Sequence, residues 1–320
     1  MTLKEIAEKF KSVKSALIFS HSRPDGDTLG SAFALKSALN KIGKRADIVC
    51  ESPIPQKFSF FPISSEVKRT INAEDLNYDA HISVDCSVPN MMGENYSLYT
   101  KNKNTFNIDH HISNSEYAKY NYVEDRASCC EIMYSFISAL GIEIDKEIAN
   151  CILLGLSTDT GHFMHNNVTS ETFDIASKLV AMGGDIHEIG YRMFKSQPKN
   201  RALLFVKVMS GMRFFLDGKL AIIHTFKDDL NEFNATSDLT EGFIDFPLSV
   251  DGVEVAISIL ENKENCYKIS FRSKGKVNVN EIASTFGGGG HVLASGAMLN
   301  GFYEDVKDKL IHAVELNMGE

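Results

Sequence analysis

Aspartate and histidine side chains recur in four short stretches of the first half of the chain. These stretches contain His21, Asp25 and Asp27; Asp85; Asp109, His110 and His111; and Asp159. Five aspartates brought together would raise one another's pKa unless cations neutralised them. Carboxylate and imidazole ligands suit hard divalent ions such as manganese, magnesium or iron. The pattern therefore predicts a divalent metal site, and ions bridged at about 3.5–4 Å would favour phosphoryl transfer to water.

Each stretch taken alone has a simpler explanation. Asp25 and Asp27 precede a helical pattern and are typical of a helix cap. A single aspartate after a strand, such as Asp85, is usually a cap or turn residue. His162 and His165, close behind Asp159, are interpreted as exposed loop residues. Only the joint occurrence of all four stretches favours a metal site.

The elements that must position these side chains alternate between strand and helix. Strands are predicted for the short apolar runs at 16–20, 46–50, 80–85 and 105–109. Helices are predicted at 29–42, 128–140, 146–156, 170–182 and 185–194. This alternation is typical of an α/β fold, a mostly parallel sheet with helices on both faces. Because the loops after parallel strands meet at one edge of the sheet, we expect the four stretches to meet there.

The pattern of apolar and polar residues along the chain changes after Phe194. We predict a first domain at 1–194, a partly helical linker at 195–214 and a smaller α+β domain at 215–320. The second domain has strand patterns near 220–225, 253–260 and 267–272, and helical patterns near 279–286 and 303–316. Its unusual feature is a run of four glycines, residues 287–290, followed by His291. Glycines let backbone amides approach an anion closely, and an arginine such as Arg272 would add charge-assisted bonds.

Composition excludes several classes of protein. A net charge of −9 argues against a protein that coats long duplex nucleic acid. The N-terminus has no signal-peptide pattern and no apolar run reaches membrane-spanning length, so a cytoplasmic protein without membrane contact is expected. The six cysteines are scattered and form no CxxC pair, which is typical of free buried thiols.

The four stretches resemble, in order and spacing, the four motifs of the DHH phosphoesterase superfamily, whose name comes from the triplet found here as Asp109-His110-His111. The segment FGGGGHVLASG, residues 286–296, resembles the substrate-binding segment of the DHH-associated C-terminal domain. The resemblance covers nearly the whole chain. It is strongest for the stand-alone two-domain members, the nanoRNases, which are bifunctional oligoribonucleases and 3'-phosphoadenosine 5'-phosphate (pAp) phosphatases.

The resemblance implies two divalent ions, with manganese preferred over magnesium or iron. The implied ligands are His21 and Asp25 for one ion, Asp27, His110 and Asp159 for the other, and Asp85 as the bridge.

Further residues would act on the substrate. His111 would contact the scissile phosphate or protonate the leaving oxygen, and Asp109 would orient a histidine. The implied phosphate contacts of the second domain are Arg272, Gly288, Gly289, Gly290 and His291. Arg126 and Ser128 would add phosphate contacts at a helix N-terminus, with a plain helix cap as the alternative for Ser128.

The function implied by the resemblance is metal-dependent cleavage of very short oligoribonucleotides to mononucleotides, together with dephosphorylation of pAp. The substrates would thus be short RNA and pAp, and a homodimer is left open. Three alternatives remain from the sequence: a pApA or cyclic-di-AMP phosphodiesterase, an inorganic pyrophosphatase, and a nucleotide-binding regulator without turnover.

Overall fold

The chain divides into two units, Met1–Ser196 and Gln197–Glu320. The computed structural model describes residues 1–72 and 76–318. The division falls inside the segment predicted as a linker, and the helical part of that segment packs within the second unit.

The first unit has five strands, seven helices and several short turns of 3-10 helix among its described residues. The strands are β1 Ser15–Phe19, β2 Arg45–Val49, β3 Ala80–Val84, β4 Thr105–Asp109 and β5 Tyr120–Val123. The helices are α1 Leu3–Lys11, α2 Gly26–Lys41, α3 Tyr96–Tyr99, α4 Cys129–Ala139, α5 Lys146–Asp159, α6 Ser170–Ala181 and α7 Ile186–Gly190. A single turn of π-helix follows at Tyr191–Lys195.

All five strands run parallel, in the spatial order β2-β1-β3-β4-β5. The strand β1 therefore lies between β2 and β3, and the chain leaves β1 and β3 toward opposite faces of the sheet. A crevice opens beyond the carboxyl ends of two such strands, which is where open parallel sheets bind ligands. Two of the four acidic stretches directly follow β1 and β3.

The side chains of each strand alternate between two apolar layers. Ala16 and Ile18 of β1 belong to the large core formed with α1, α2, α4 and α5. Leu17 and Phe19 belong to a smaller core on the other face, rich in tyrosine and covered by α3 and the turns before it. The predicted α/β class is confirmed, although most of the helices pack on one face of the sheet.

The second unit contains a mixed sheet. Its strands are β6 Arg213–Phe215, β7 Leu220–Thr225, β8 Val255–Lys263, β9 Cys266–Ser273, β10 Gly289–His291 and β11 Ala294–Asn300. Its helices are α8 Lys199–Ser210, α9 Lys227–Glu232, α10 Asp245–Ser249, α11 Val279–Thr285 and α12 Tyr303–Asn317. The strand order is β10-β11-β9-β8-β7-β6, and only the pair β7–β8 is parallel. This confirms an α+β second unit.

Apolar side chains cover both faces of this second sheet. Helices α11 and α12 contribute Ile282 and Leu310 to the core on one face. Leu204 and Val208 of α8 pack with Phe243 in a separate cluster. No helix within residues 1–72 and 76–318 is long and apolar enough to cross a membrane.

Candidate metal centre

Asp25 begins helix α2 and uses each carboxylate oxygen differently. Its Oδ1 accepts from the backbone N–H groups of Asp27 and Thr28, at 3.0 and 3.1 Å, and so caps the helix. Its Oδ2 lies 3.4 Å from Nε2 of His21, which comes from the loop after β1. The helix cap and the ligand geometry are therefore present in the same side chain.

Asp27 is fully buried and lies at the N-terminal end of another helix, α4. Its two oxygens accept from the backbone N–H groups of Cys129 and Cys130, at 2.6 and 2.9 Å. The positive end of a helix dipole stabilises a carboxylate in this position. Asp27 is thus held in place from a part of the chain about one hundred residues away.

Asp85 follows β3 directly, with a φ of +55° in the left-handed region. Its Oδ2 lies 3.7 Å from Nε2 of His21, and its Oδ1 lies 3.4 Å from Nε2 of His110. Although buried, Oδ1 has no hydrogen-bond partner among the described residues. The two oxygens of one carboxylate therefore face two separate groups of side chains.

His110 is oriented by a backbone carbonyl. Its Nδ1 lies 3.0 Å from the carbonyl oxygen of Arg126, which can only accept, so Nδ1 carries the hydrogen. Its Nε2 faces carboxylate oxygens of Asp27, Asp85 and Asp159, at 3.8, 3.4 and 3.5 Å. A ring held in this way presents a lone pair to an ion.

The neighbouring pair Asp109 and His111 has a different arrangement. Asp109 is the last residue of β4 and is fully buried, and its Oδ1 lies 2.8 Å from Nδ1 of His111. The His111 side chain is 38% exposed, so the ring connects the buried carboxylate to the solvent-accessible side of the site.

Burial and like charges perturb these groups strongly. Burial and the neighbouring Asp85 raise the pKa of Asp27, and burial also raises the pKa of Asp85. For Asp159, burial and Asp27 raise the pKa to about 8. Burial lowers the pKa of His110, but the nearby carboxylates of Asp85 and Asp27 outweigh this effect and raise the pKa to about 10. Without cations, these carboxylates compete for protons near neutral pH, as expected of groups that bind metal.

Three sets of side chains could each hold an ion: His21, Asp25 and Asp85; Asp27, His110 and Asp159; and Asp85, His110 and His111. Within each set the ligand atoms lie within 4.8 Å of one another. The donors are carboxylate oxygens and imidazole nitrogens. The nearby thiols of Cys129 and Cys130 are buried, which raises their pKa and keeps them protonated. The unpaired Oδ1 of Asp85 and this donor set fit divalent cations.

Two further predicted residues lie beside the centre. Ser128 is fully buried, and its side chain accepts from the N–H of Glu131, so it caps α4. The guanidinium of Arg126 forms ion pairs with Glu124 and Glu171. The contact of Arg126 with the centre runs through its backbone carbonyl rather than its side chain.

The loop after Asp159 contains the two histidines interpreted as exposed. His165 is exposed, and its Nδ1 donates to the carbonyl of Asp159 at 3.2 Å. His162 is half-buried, lies 2.9 Å from Ser157 Oγ and has a positive φ of 57°. Neither belongs to the three sets of possible metal ligands.

The predicted phosphate contacts of the second unit lie around one hairpin. In the register of the sheet, His291 of β10 pairs with Ala294 of β11, and Ala294 pairs with Arg272 of β9. Residues paired across neighbouring strands project from the same face, so Arg272 and His291 flank a small alanine. Among the described residues, the guanidinium of Arg272 forms no salt bridge, and its one hydrogen bond goes to the carbonyl of Phe271.

The glycines of this hairpin differ in their surroundings. A Cβ atom on Gly288 would lie 2.1 Å from the Gly296 carbonyl oxygen, and one on Gly290 would lie 2.5 Å from that of Ala294. A Cβ on Gly289 would meet nothing closer than 3.8 Å. Tight strand packing therefore requires glycine at 288 and 290 whether or not a ligand binds.

Sequence reasoning missed the side chains that support the centre. Asn114 contacts Asp109, and Asn107 lies behind Asn114, yet neither amide stands in a chemically suggestive stretch. The two cysteine amides that hold Asp27 carry no side-chain signal at all. A turn after the triplet could have pointed to Asn114, because asparagine is common in turns.

Comparisons with known proteins agree with this architecture. The DHH family N-terminal domain matches residues 15–156, and the DHHA1 domain matches residues 219–320. The bifunctional oligoribonuclease and PAP phosphatase NrnA of Thermus thermophilus is 31% identical over 314 residues, which covers 97% of this chain and 92% of that protein. The Bacillus subtilis protein of the same name is 24% identical, with 97% of each chain covered.

Solved structures show the same fold. The crystal structure of an exopolyphosphatase-related protein from Bacteroides fragilis matches with a TM-score of 0.89 and 27% identity, over 98% of this chain and 95% of that chain. The chain belongs to the DHH family, with a DHHA1 domain in its second unit.

Proposed function

We propose that the protein is a metal-dependent phosphoesterase that cleaves very short oligoribonucleotides to mononucleotides and removes the 3'-phosphate of pAp. The observation that carries this proposal is the position of Asp85, whose two oxygens face two separate groups of possible metal ligands. Two relatives that cover nearly the whole chain carry the name oligoribonuclease and PAP phosphatase.

We assign His21, Asp25 and Asp85 to one ion and Asp27, His110 and Asp159 to the other, with Asp85 shared. The preferred metal is Mn²⁺, with Mg²⁺ or Fe²⁺ as alternatives, because carboxylate and imidazole donors suit these ions. Bound divalent ions would lower the pKa of water and neutralise charge on the phosphoryl oxygens.

The protein's own side chains have distinct tasks in this proposal. His111 contacts the scissile phosphate or protonates the leaving oxygen through Nε2, while the Asp109 carboxylate holds its Nδ1–H. In the second unit, Arg272 and His291 bind a phosphate of the substrate and the backbone at Gly289 approaches it. For Arg126, the ion pairs with two glutamates favour a structural task over phosphate binding.

A substrate panel tests the proposed activity. With Mn²⁺, we expect turnover of 5'-labelled RNA of two to ten nucleotides to be fastest at the short end, and pAp to be converted to AMP. Including pApA, cyclic-di-AMP and pyrophosphate separates the alternatives. Preference for pApA or cyclic-di-AMP would redefine the substrate, and efficient pyrophosphate hydrolysis without dinucleotide cleavage would overturn the proposal.

The variant Asp85→Asn tests the shared ligand. Asparagine tolerates a positive φ, so the backbone at residue 85 is not newly strained. We expect Mn²⁺ binding by calorimetry and turnover of pAp both to fall below detection, because a neutral amide cannot bridge two cations. The matched control is Asp174→Asn, on the exposed side of α6, which should leave both unchanged. Retained turnover in folded Asp85→Asn would contradict the shared-ligand assignment.

A further inference from the structure

A chain of side-chain amides connects the buried carboxylate of Asp109 with the interior of the sheet. Oδ2 of Asp109 lies 2.6 Å from Nδ2 of Asn114, and the same Nδ2 lies 2.8 Å from Oδ1 of Asn107. Asn107, on β4, is fully buried. Its own Nδ2 lies 3.2 Å from the carbonyl oxygen of Cys86.

The direction of every hydrogen bond in this chain is determined by its inner end. The carbonyl of Cys86 can only accept, so Asn107 must turn Nδ2 toward it and Oδ1 toward Asn114. Asn114 must then present Nδ2, and its two hydrogens go to Asn107 and Asp109. Independently, Oδ1 of Asn114 accepts from the N–H of Glu116 at 2.7 Å, which requires the same orientation of the amide.

These hydrogen bonds also determine which ring nitrogen of His111 carries the hydrogen. Because Asn114 donates to Oδ2 of Asp109, this oxygen is an acceptor and carries no proton. The other oxygen, Oδ1, lies 2.8 Å from Nδ1 of His111 and accepts the hydrogen of that nitrogen. Nε2 of His111 is left as the nitrogen that can meet a substrate.

We propose that Asn114, backed by Asn107, is a positioning residue that holds the Asp109 carboxylate and thereby sets the ring orientation and tautomer of His111. This inference rests on the proposed function, in which Nε2 of His111 acts at the substrate phosphate. The geometry is economical, because the backbone N–H of Asn114 donates to the carbonyl of His111 at 3.0 Å. The turn that follows the triplet therefore brings the side-chain amide of Asn114 back to Asp109, the first residue of the triplet.

The variant Asn114→Asp separates positioning from folding. It keeps an oxygen for the N–H of Glu116 but removes both donors that face Asp109 and Asn107. We expect kcat for pAp to fall roughly 10- to 100-fold, as for other lost supports of an active-site histidine. KM and the calorimetric affinity for Mn²⁺ should stay within about twofold, since Asn114 touches none of the proposed metal ligands.

The matched control is Asn121→Asp, on strand β5 directly after the same loop. Nδ2 of Asn121 donates to the carbonyls of Glu116 and Ala118, at 3.1 and 2.7 Å. Asn121 lies opposite Asn107 in the register of β4 and β5, but its side chain forms no hydrogen bond with Asn107 or Asn114 among the described residues. Loosening the loop in this way should leave kcat within about twofold of the wild type. If both variants lose kcat equally and melt at equally reduced temperatures, Asn114 is merely structural and the proposal is wrong.

The tautomer of His111 can also be measured directly, without relying on turnover. Protein with ¹⁵N-labelled histidine, loaded with diamagnetic Mg²⁺, is studied by NMR at a pH where His111 is neutral. The His111 signals are assigned by comparison with His111→Gln. We expect hydrogen on Nδ1 in the wild type and a loss of this preference in Asn114→Asp.

The outcomes distinguish the two proposals. Hydrogen on Nε2 of wild-type His111, or unchanged kcat in folded Asn114→Asp, would overturn the role of Asn114. If the wild type hydrolyses nothing in the substrate panel, the proposed function fails, and the NMR experiment still decides the tautomer.

Discussion

The two carboxylate oxygens of Asp25 make different contacts at the centre. One of its oxygens begins helix α2 and the other faces His21. The sequence left open whether Asp25 is a helix cap or a metal ligand. The structure has one oxygen in the cap and leaves the other oxygen in position for the proposed ion. Residue types and spacing predicted the aspartates and histidines that meet. The loops after parallel strands converge and account for most of them, whereas Asp159 arrives from the end of helix α5. Residue types and spacing could not predict which oxygen serves which task, since that depends on the rotamer.

His81 is a second case in which a single residue matters, away from the centre. It lies buried on β3, donates from Nδ1 to the carbonyl of Tyr99 and has no partner for Nε2 among the described residues. Burial lowers its pKa, and hydrogen bonds with nearby carbonyls only partly oppose this. The folded protein therefore keeps His81 neutral at pH values where the unfolded chain takes up a proton.

We predict that His81 makes the protein less stable as the pH falls below about 6.5. The unfolded state then binds the extra proton, which costs up to about 1.4 kcal/mol per pH unit. In His81→Asn, the amide can still donate to Tyr99, but the titration is gone. Urea unfolding at pH 7.5 and 5.5 should show a smaller loss on acidification in the variant than in the wild type. An equal loss in both would show that His81 does not contribute.

At the scale of elements, the hairpin of β10 and β11 was harder to foresee than the parallel sheet. The alternation of apolar runs with helical periodicity predicted strands β1 to β4, because burial on both faces demands such runs. Glycines have no side chain to carry that signal, so neither β10 nor β11 is predicted from the sequence. The half-buried edge strand β5, with the sequence YNYV, was missed because polar and aromatic residues alternate on it.

Substitution can distinguish the structural role of Gly288 from the proposed binding role of Gly289. Gly288→Ala would place Cβ against the Gly296 carbonyl, so we expect a loss of about 1–3 kcal/mol in stability. Gly289→Ala has room, so stability should change by less than about 1 kcal/mol. If the backbone at Gly289 approaches a substrate phosphate, KM for pAp should nevertheless rise several-fold in Gly289→Ala. An unchanged KM would remove Gly289 from the proposed binding site.

At the scale of the whole molecule, the two units hold different chemistry. All residues proposed as metal ligands lie in the first unit, whereas Arg272 and His291 belong to the second. The change in sequence pattern after Phe194 predicts a linker at 195–214, and the division between Ser196 and Gln197 falls inside that segment. The sequence does not predict that α8 packs with the second unit, because the polar residues that begin this helix are equally typical of a linker.

Arg272→Ala tests this division of labour. We expect KM for pAp to rise at least about tenfold, since a lost charge-assisted hydrogen bond is worth about 1.5–3 kcal/mol. Hydrolysis of bis(p-nitrophenyl) phosphate, which has no second phosphate to bind, should change by less than about twofold. Lys268→Ala, an exposed position on the same face of β9, is the control. Equal losses on both substrates would show that Arg272 supports the chemistry or the fold instead.

The residues proposed as metal ligands lie far apart in the sequence, and this affects the order in which they become available during synthesis. The set of His21, Asp25 and Asp85 is complete once β3 and the residue after it have left the ribosome, but Asp159 is the last residue of α5. Until α5 has emerged and docked, the second set lacks a ligand and Asp27 has only part of its surroundings. Under the proposed assignment, a nascent chain could not complete both sets of ligands before α5 has emerged, so binding of the second ion would follow the synthesis of Asp159.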